Sequence, residues 1–101
     1  MRSDDFEELS DALDRVFARL GVESPALMAR VLEAWDEVAG TPWTDRARPV
    51  FMRGATLVVE AFSPSAVALL RYRAPELVKA LEERFGEGVI EAVELVPPGR
   101  W

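Results

Sequence analysis

The spacing of apolar residues in the first forty positions is that of two amphipathic helices, because they recur every three or four residues. One apolar stripe consists of Phe6, Leu9, Leu13, Val16, Phe17 and Leu20, and a second of Leu27, Met28, Val31, Leu32, Trp35 and Val38. Ser3 is a predicted N-cap for the first helix and Gly21 its stop. Ser24-Pro25 begins the second helix, and Gly40 ends it.

Short runs rich in Val and Leu follow, and these are typical of strands. Residues 41–49 are predicted to form a loop that leads into a strand at Val50–Arg53. Gly54 supplies a turn, and Thr56–Phe62 is the second strand, so that the two form a hairpin. Val89–Val96 is predicted to be a third strand, which joins the hairpin in one sheet.

Between the hairpin and the last strand, Ser63-Pro64 repeats the Ser-Pro helix start. Pro75 is predicted to divide this helical stretch in two, because proline lacks an N–H and its ring clashes with the preceding turn. The predicted order is therefore ααββααβ. Helices grouped beside a small, mainly antiparallel sheet indicate an α+β fold.

The length of 101 residues fits one domain, residues 1–101, with residues 97–101 as a tail after Pro97-Pro98-Gly99. The apolar positions of the predicted elements define the expected core. It comprises Phe17, Leu20, Val31, Trp35, Leu57, Val59, Leu70, Leu81 and Val93.

Composition removes several classes of chemistry. The chain has no His and no Cys, which excludes a Ser-His-Asp triad, a thiol nucleophile and a zinc site. Neither a Gly-rich phosphate loop nor a calcium loop is present, so we expect no enzyme, no cofactor, no metal and no small-molecule substrate. The acidic N-terminus does not resemble a signal peptide, and no apolar run approaches a membrane span; the expected location is the cytoplasm.

The charge is distributed unevenly along the sequence. The net charge is −6, yet residues 46–79 carry six cations against two acids. A basic segment inside an acidic protein indicates a polyanion partner for one face. The candidate nucleic-acid-binding residues are Arg46, Arg48, Arg53, Arg71, Tyr72, Arg73 and Lys79, with Tyr72 placed to stack a base between two arginines.

Each of these features also has a structural interpretation. The cations could pair with the acids of the first two helices, and Tyr72 could be half-buried. Trp43 is either an exposed partner contact or a lid over the core. The acidic run Asp4–Asp14, with Asp11 and Asp14 as candidate partner-binding residues, could equally be a solvated helix face.

The ordered combination of these elements resembles the DciA-like domain, and the similarity is strongest over residues 27–96. The family pattern begins with an aliphatic helix that ends in Trp, a few residues and Val-Gly, and continues with a Pro-Val loop, Gly-x-Leu-x-Val and Ser-Pro. It ends with a helix that has a recurrent Leu, a Leu-rich helix, Gly and a Val-rich strand. Its positions here are Trp35, Gly40, Pro49, Val50, Gly54, Leu57, Val59, Ser63, Leu70, Leu77, Leu81, Gly86 and Val89. Ala66 departs from it, because the family usually has an aromatic residue early in the helix after Ser-Pro.

The resemblance implies a KH-like fold of type II, with a three-stranded sheet backed by helices. It also implies a replication protein that binds the DnaB-type helicase, assists its loading and binds single-stranded DNA weakly. KH domains clamp RNA with a Gly-x-x-Gly loop between two helices. The corresponding stretch, residues 71–75, has no glycine, so that mode of binding is not expected. The alternative function is a protein-interaction module without nucleic-acid contact.

Overall fold

A computed structural model of the chain describes residues 25–100 and six positions before them, all helical: Leu9, Ala12, Leu13, Arg15, Val16 and Arg19. The predictions for Phe17, Leu20, Asp11 and Asp14 lie outside the described residues. The described elements are α1 (Pro25–Ala39), α2 (Trp43–Arg46), β1 (Ala47–Arg53), β2 (Thr56–Ala61), α3 (Pro64–Phe85) and β3 (Ala92–Val96).

The three strands form one sheet in the order β1-β2-β3, which confirms that the hairpin and the last strand belong together. β1 and β2 are antiparallel, and Gly54 turns between them at a φ of 60°. β2 and β3 are parallel, so the prediction of a mainly antiparallel sheet is wrong for half of its pairings. The reason is α3, which carries the chain back along the sheet so that β3 starts beside the start of β2.

α3 is a single helix of 22 residues, and the prediction that Pro75 divides it is wrong. Its start is as expected: the Ser63 side chain accepts a hydrogen bond from the Ala66 amide at 3.3 Å. Leu70 precedes Pro75, Leu77 follows it, and both are buried against the same core. We attribute the continuity of the helix to this shared burial, which outweighs the hydrogen bond that proline removes.

Two further boundaries differ from the prediction. The loop of residues 41–49 contains the short helix α2, and β1 begins at Ala47 rather than Val50. β3 begins at Ala92 rather than Val89. Val89 and Ile90 are fully buried just before it, so this apolar run fills the core without joining the sheet ladder.

α1 and α3 pack on one face of the sheet, here called the inner face, against Leu57, Val59 and Ala61 of β2. The core prediction is confirmed for Val31, Trp35, Leu57, Val59, Leu70 and Leu81, while Val93 is only partly buried. Trp43 is also buried; its ring meets that of Trp35 edge to face, with 6.3 Å between the centroids.

The opposite, outer face of the sheet carries one buried acid, Glu60, which is 8% exposed. Arg48, its cross-strand neighbour, donates a hydrogen bond from Nε to Oε1 at 2.9 Å. The amide of Gly99 donates to Oε2 at 2.7 Å. Glu60 therefore holds both the edge strand β1 and the segment after β3, and its burial is offset by charge-assisted hydrogen bonds.

Truncation of the buried indole tests the core. Trp35→Ala should lower the free energy of unfolding by about 3–5 kcal/mol, because it removes the side chain that joins α1 to the core and leaves a cavity. Leu32→Ala, at a position 53% exposed on the same helix, should cost under about 1 kcal/mol. Urea unfolding measures both values, and a loss below about 1 kcal/mol for Trp35→Ala would contradict the packing of α1.

The two outer-face ion pairs provide a matched test of burial. Arg48→Ala should lower the free energy of unfolding by about 1–3 kcal/mol, because it leaves a buried carboxylate with one fewer donor. Arg53→Ala should cost under about 1 kcal/mol, because its partner Glu94 is exposed to solvent over 45% of its side chain. Equal losses in urea unfolding would show that Glu60 is not stabilised through Arg48.

Candidate nucleic-acid interface

Six of the seven candidate DNA-binding residues lie in two groups on opposite sides of the domain. Arg48 and Arg53 are cross-strand neighbours of Glu60 and Thr56, which places them on the outer face of the sheet. The other group lies on α3, which packs against the inner face. The structure therefore does not bring the six cations together on one surface.

The outer-face arginines are engaged within the sheet. Arg48 binds Glu60 as described above, and Arg53 Nη1 lies 3.0 Å from Glu94 Oε2. The Arg53 guanidinium also lies over the Phe51 ring, with its Cζ 5.4 Å from the centroid. Any phosphate that approached this face would compete with two carboxylates for the arginines. The outer face therefore has little net positive charge available to bind a phosphate.

Tyr72 on α3 is the most exposed large hydrophobic side chain in the described part of the chain, at 92%. Successive helical residues are rotated by about 100°, so Arg71 and Arg73 flank the tyrosine on its two sides. Lys79 lies about two turns further on, close to the side of the helix that carries Tyr72. An aromatic ring in solvent between cations suits an unpaired base and its phosphates.

The cations of α3 differ in their partners. Arg73 pairs with Glu76, one turn along the helix, at 3.2 Å. Within the residues that the structure describes, neither Arg71 nor Lys79 forms an ion pair. Arg46, also exposed, lies in the last turn of α2, directly before β1. Arg71 and Lys79 are therefore the cations of α3 best placed to meet a phosphate.

Two apolar side chains beside Tyr72 were not anticipated from the sequence. Leu69, one turn before it, is 45% exposed, and Pro75, one turn after it, is exposed as well. They share the solvent side of one helix only because α3 continues through Pro75. The spacing of three residues between positions 69, 72 and 75 indicates one side of a helix. It was missed from the sequence because a helix break was predicted at Pro75.

The candidate partner-binding residues have a different outcome. Trp43 is 3% exposed, so it covers the core and is not an exposed partner contact. The first helix also departs from expectation, because Leu9, Leu13 and Val16 of its predicted core stripe are each about half exposed. Asp11 and Asp14 are not among the described residues.

Two other kinds of site are absent from the described part of the chain. No three acidic side chains there lie close enough to hold a metal ion. No helix in that part is long and apolar enough to cross a membrane.

Comparison with known proteins places the chain in a family. Residues 8–95 match the family model described as "Dna[CI] antecedent, DciA". A UPF0232 protein of Streptomyces coelicolor is 30% identical over 93 residues, which cover 90% of this chain and 49% of the relative. A UPF0232 protein of Streptomyces avermitilis is 28% identical over 93 residues, which cover 90% of this chain and 51% of that relative. The chain thus spans about half the length of these relatives, and it belongs to the DciA family.

Proposed function

We propose that the domain acts in DNA replication as an adaptor that binds the replicative DnaB-type helicase and assists its loading. Membership of the DciA family, matched over residues 8–95, is the observation that carries the proposal. The family's description as an antecedent of Dna[CI] supports a role beside a helicase. Because the chain spans about half of the relatives' length, helicase binding is proposed for this portion and requires a direct test.

We further propose that the fold is related to the type II KH domain. A three-stranded sheet with helices on one face supports this relationship. The stretch of residues 71–75 that would correspond to the Gly-x-x-Gly loop lies inside α3. A nucleic acid would therefore meet side chains of a continuous helix here, and not the backbone amides of a loop.

The second function that we propose is weak binding of single-stranded DNA by α3. The 92% exposure of Tyr72 beside Arg71 and Lys79 supports it, because a base can stack on the ring only when it is not paired. Such contacts would be largely independent of sequence, since every base has a face that can stack. The net charge of −6 would oppose a longer footprint on the phosphate backbone.

One observation favours the alternative of a pure protein-interaction module. Arg48, Arg53 and Arg73, half of the six candidate cations, have acidic partners in the structure. Leu69 and Tyr72 could then contribute to a protein contact, because exposed aromatic and Arg side chains are frequent among residues that dominate protein interfaces. The experiments below separate this alternative from DNA binding.

The helicase proposal is tested with the purified chain and the DnaB-type helicase of the same organism. We expect the two to form a complex in sedimentation or calorimetry without ATP hydrolysis by this chain, since its sequence has no Gly-rich phosphate loop. Tyr72→Ala should leave the affinity for the helicase unchanged if α3 serves DNA. Failure to associate at any salt concentration, or ATPase activity of the chain alone, would overturn the proposal.

The DNA proposal is tested by titration of a fluorescent single strand at low salt. Two or three neutralised phosphates predict a log–log salt slope of about −1.4 to −2.1, which is a loss of about 7- to 20-fold between 50 and 200 mM salt. Tyr72→Ala should remove about 1–3 kcal/mol of binding energy. Arg71→Glu should weaken binding as well.

Arg53→Glu is the charge-matched control, because it makes the same change of charge on the outer face of the sheet. It should leave the titration curve nearly unchanged. If Arg71→Glu and Arg53→Glu weaken binding equally, the effect is one of net charge alone and α3 is not the binding site. If Tyr72→Ala weakens helicase binding and not DNA binding, the protein-interaction alternative is correct.

A further inference from the structure

The two edges of the sheet differ in their capacity to pair with another strand. β1, at one edge, contains Pro49, which has no amide hydrogen. Its register with β2 shifts between Pro49 and Phe51, so the strand bulges there. Prolines and bulges are two of the devices by which natural sheets protect an edge from unwanted pairing. This edge is therefore closed to a regular fourth strand.

β3, at the other edge, has neither device. All five of its residues, Ala92–Val96, pair in continuous parallel register with Thr56–Glu60 of β2. No proline, glycine or lysine occurs within it. Among the described residues, the sheet has no strand beyond β3.

The hydrogen bonds identify which amides of β3 point outward. Ala92 lies opposite Thr56, and its amide donates to the Ala55 carbonyl at 3.3 Å, as in a regular parallel pair, so the peptide groups of Ala92, and of every second residue after it, face β2. The amides of Val93 and Leu95 consequently point away from the sheet. They present the spacing that an added strand needs for two main-chain hydrogen bonds.

The core is also incompletely covered at this edge. Val93 and Leu95 pack against the core from the inner face, yet both are only partly buried. Their neighbours in β2, Leu57 and Val59, are fully buried. Apolar side chains of an added strand would remove more of this surface from water, in addition to the main-chain hydrogen bonds.

Charge identifies the chemistry of the occupant. Glu87, Glu91 and Glu94 lie in or just before β3, and Arg53 pairs with Glu94 alone. Glu87 and Glu91 are exposed, and neither has an ion pair within the described residues. A second copy of this chain would bring acid against acid, which is unfavourable across strands. A segment that carries Lys or Arg would be attracted.

We propose that the free edge of β3 binds an extended, basic segment of a partner protein as a fourth strand of the sheet. Main-chain hydrogen bonds to Val93 and Leu95 fix its alignment. The partly buried Val93 and Leu95 contact its apolar side chains, and Glu87 and Glu91 select for basic ones. The proposal is independent of the helicase and of DNA, because it uses neither Tyr72 nor the cations of α3.

The experiment uses the whole chain and two end-blocked peptides of about ten residues. In one, lysine alternates with valine and threonine; in the other, glutamate replaces lysine. Calorimetry measures affinity, and hydrogen exchange followed by NMR reports individual amides. We expect the lysine peptide to bind, to slow exchange at Val93 and Leu95, and to lose affinity with rising salt. The glutamate peptide should not bind.

Val93→Pro removes one outward amide without removing a hydrogen bond to β2, and should weaken the lysine peptide about fivefold or more. Val93→Ile keeps the amide and an apolar side chain and should bind like the wild type. Glu91→Lys, for which the fold has no requirement, should weaken binding about two- to fivefold.

Three outcomes overturn the proposal: equal affinity for the two peptides, protection at β1 in place of β3, or undiminished binding by both Val93→Pro and Glu91→Lys. Sedimentation of the chain alone tests for a fourth outcome that would overturn the proposal. A dimer that Val93→Pro dissociates would mean that a second copy occupies the edge.

Discussion

The architecture depends on the burial of one side of α3 against the sheet. Leu70, Leu77 and Leu81 lie on that side and are almost completely excluded from water, before and after a proline that would break an isolated helix. The burial of three leucines is worth several kcal/mol, comparable with the cost of about 3 kcal/mol for a proline inside a helix. Because the helix remains whole, the chain returns along the full sheet, and β3 pairs parallel to β2.

The position of α3 also determines where the basic residues lie on the protein surface. Residues 46–79 are basic in the sequence, but β1 contributes its arginines to the outer face while α3 carries Arg71, Tyr72 and Lys79 on the far side of the domain. The outer face then neutralises its own cations through Glu60 and Glu94. A polyanion would therefore find positive charge on a helix surface and not across the whole basic segment, which makes a small DNA contact more reasonable than a large one.

Glu60 has a structural role that composition would not reveal. A carboxylate in the central strand would be costly to bury alone, yet here it accepts hydrogen bonds from Arg48 on one side and from the Gly99 amide on the other. These hydrogen bonds connect β1, the protected edge strand, to the segment that follows β3, the unprotected edge strand. β3 itself is bordered by acidic side chains on one side and by an incompletely covered core on the other. That edge of the sheet therefore suits a basic strand.

The sequence by itself determined the α+β class, the helix of residues 25–39, the hairpin, and six residues of the buried core. These features depend on local periodicity and on turn residues such as Gly54, whose effects reach only a few positions. Tertiary structure decided the continuity of α3 through Pro75, the burial of Trp43 and the parallel pairing of β3. It also decided which arginines meet acids, because ion pairs such as Arg53–Glu94 join residues far apart in the chain, and spacing along a sequence carries no information about them.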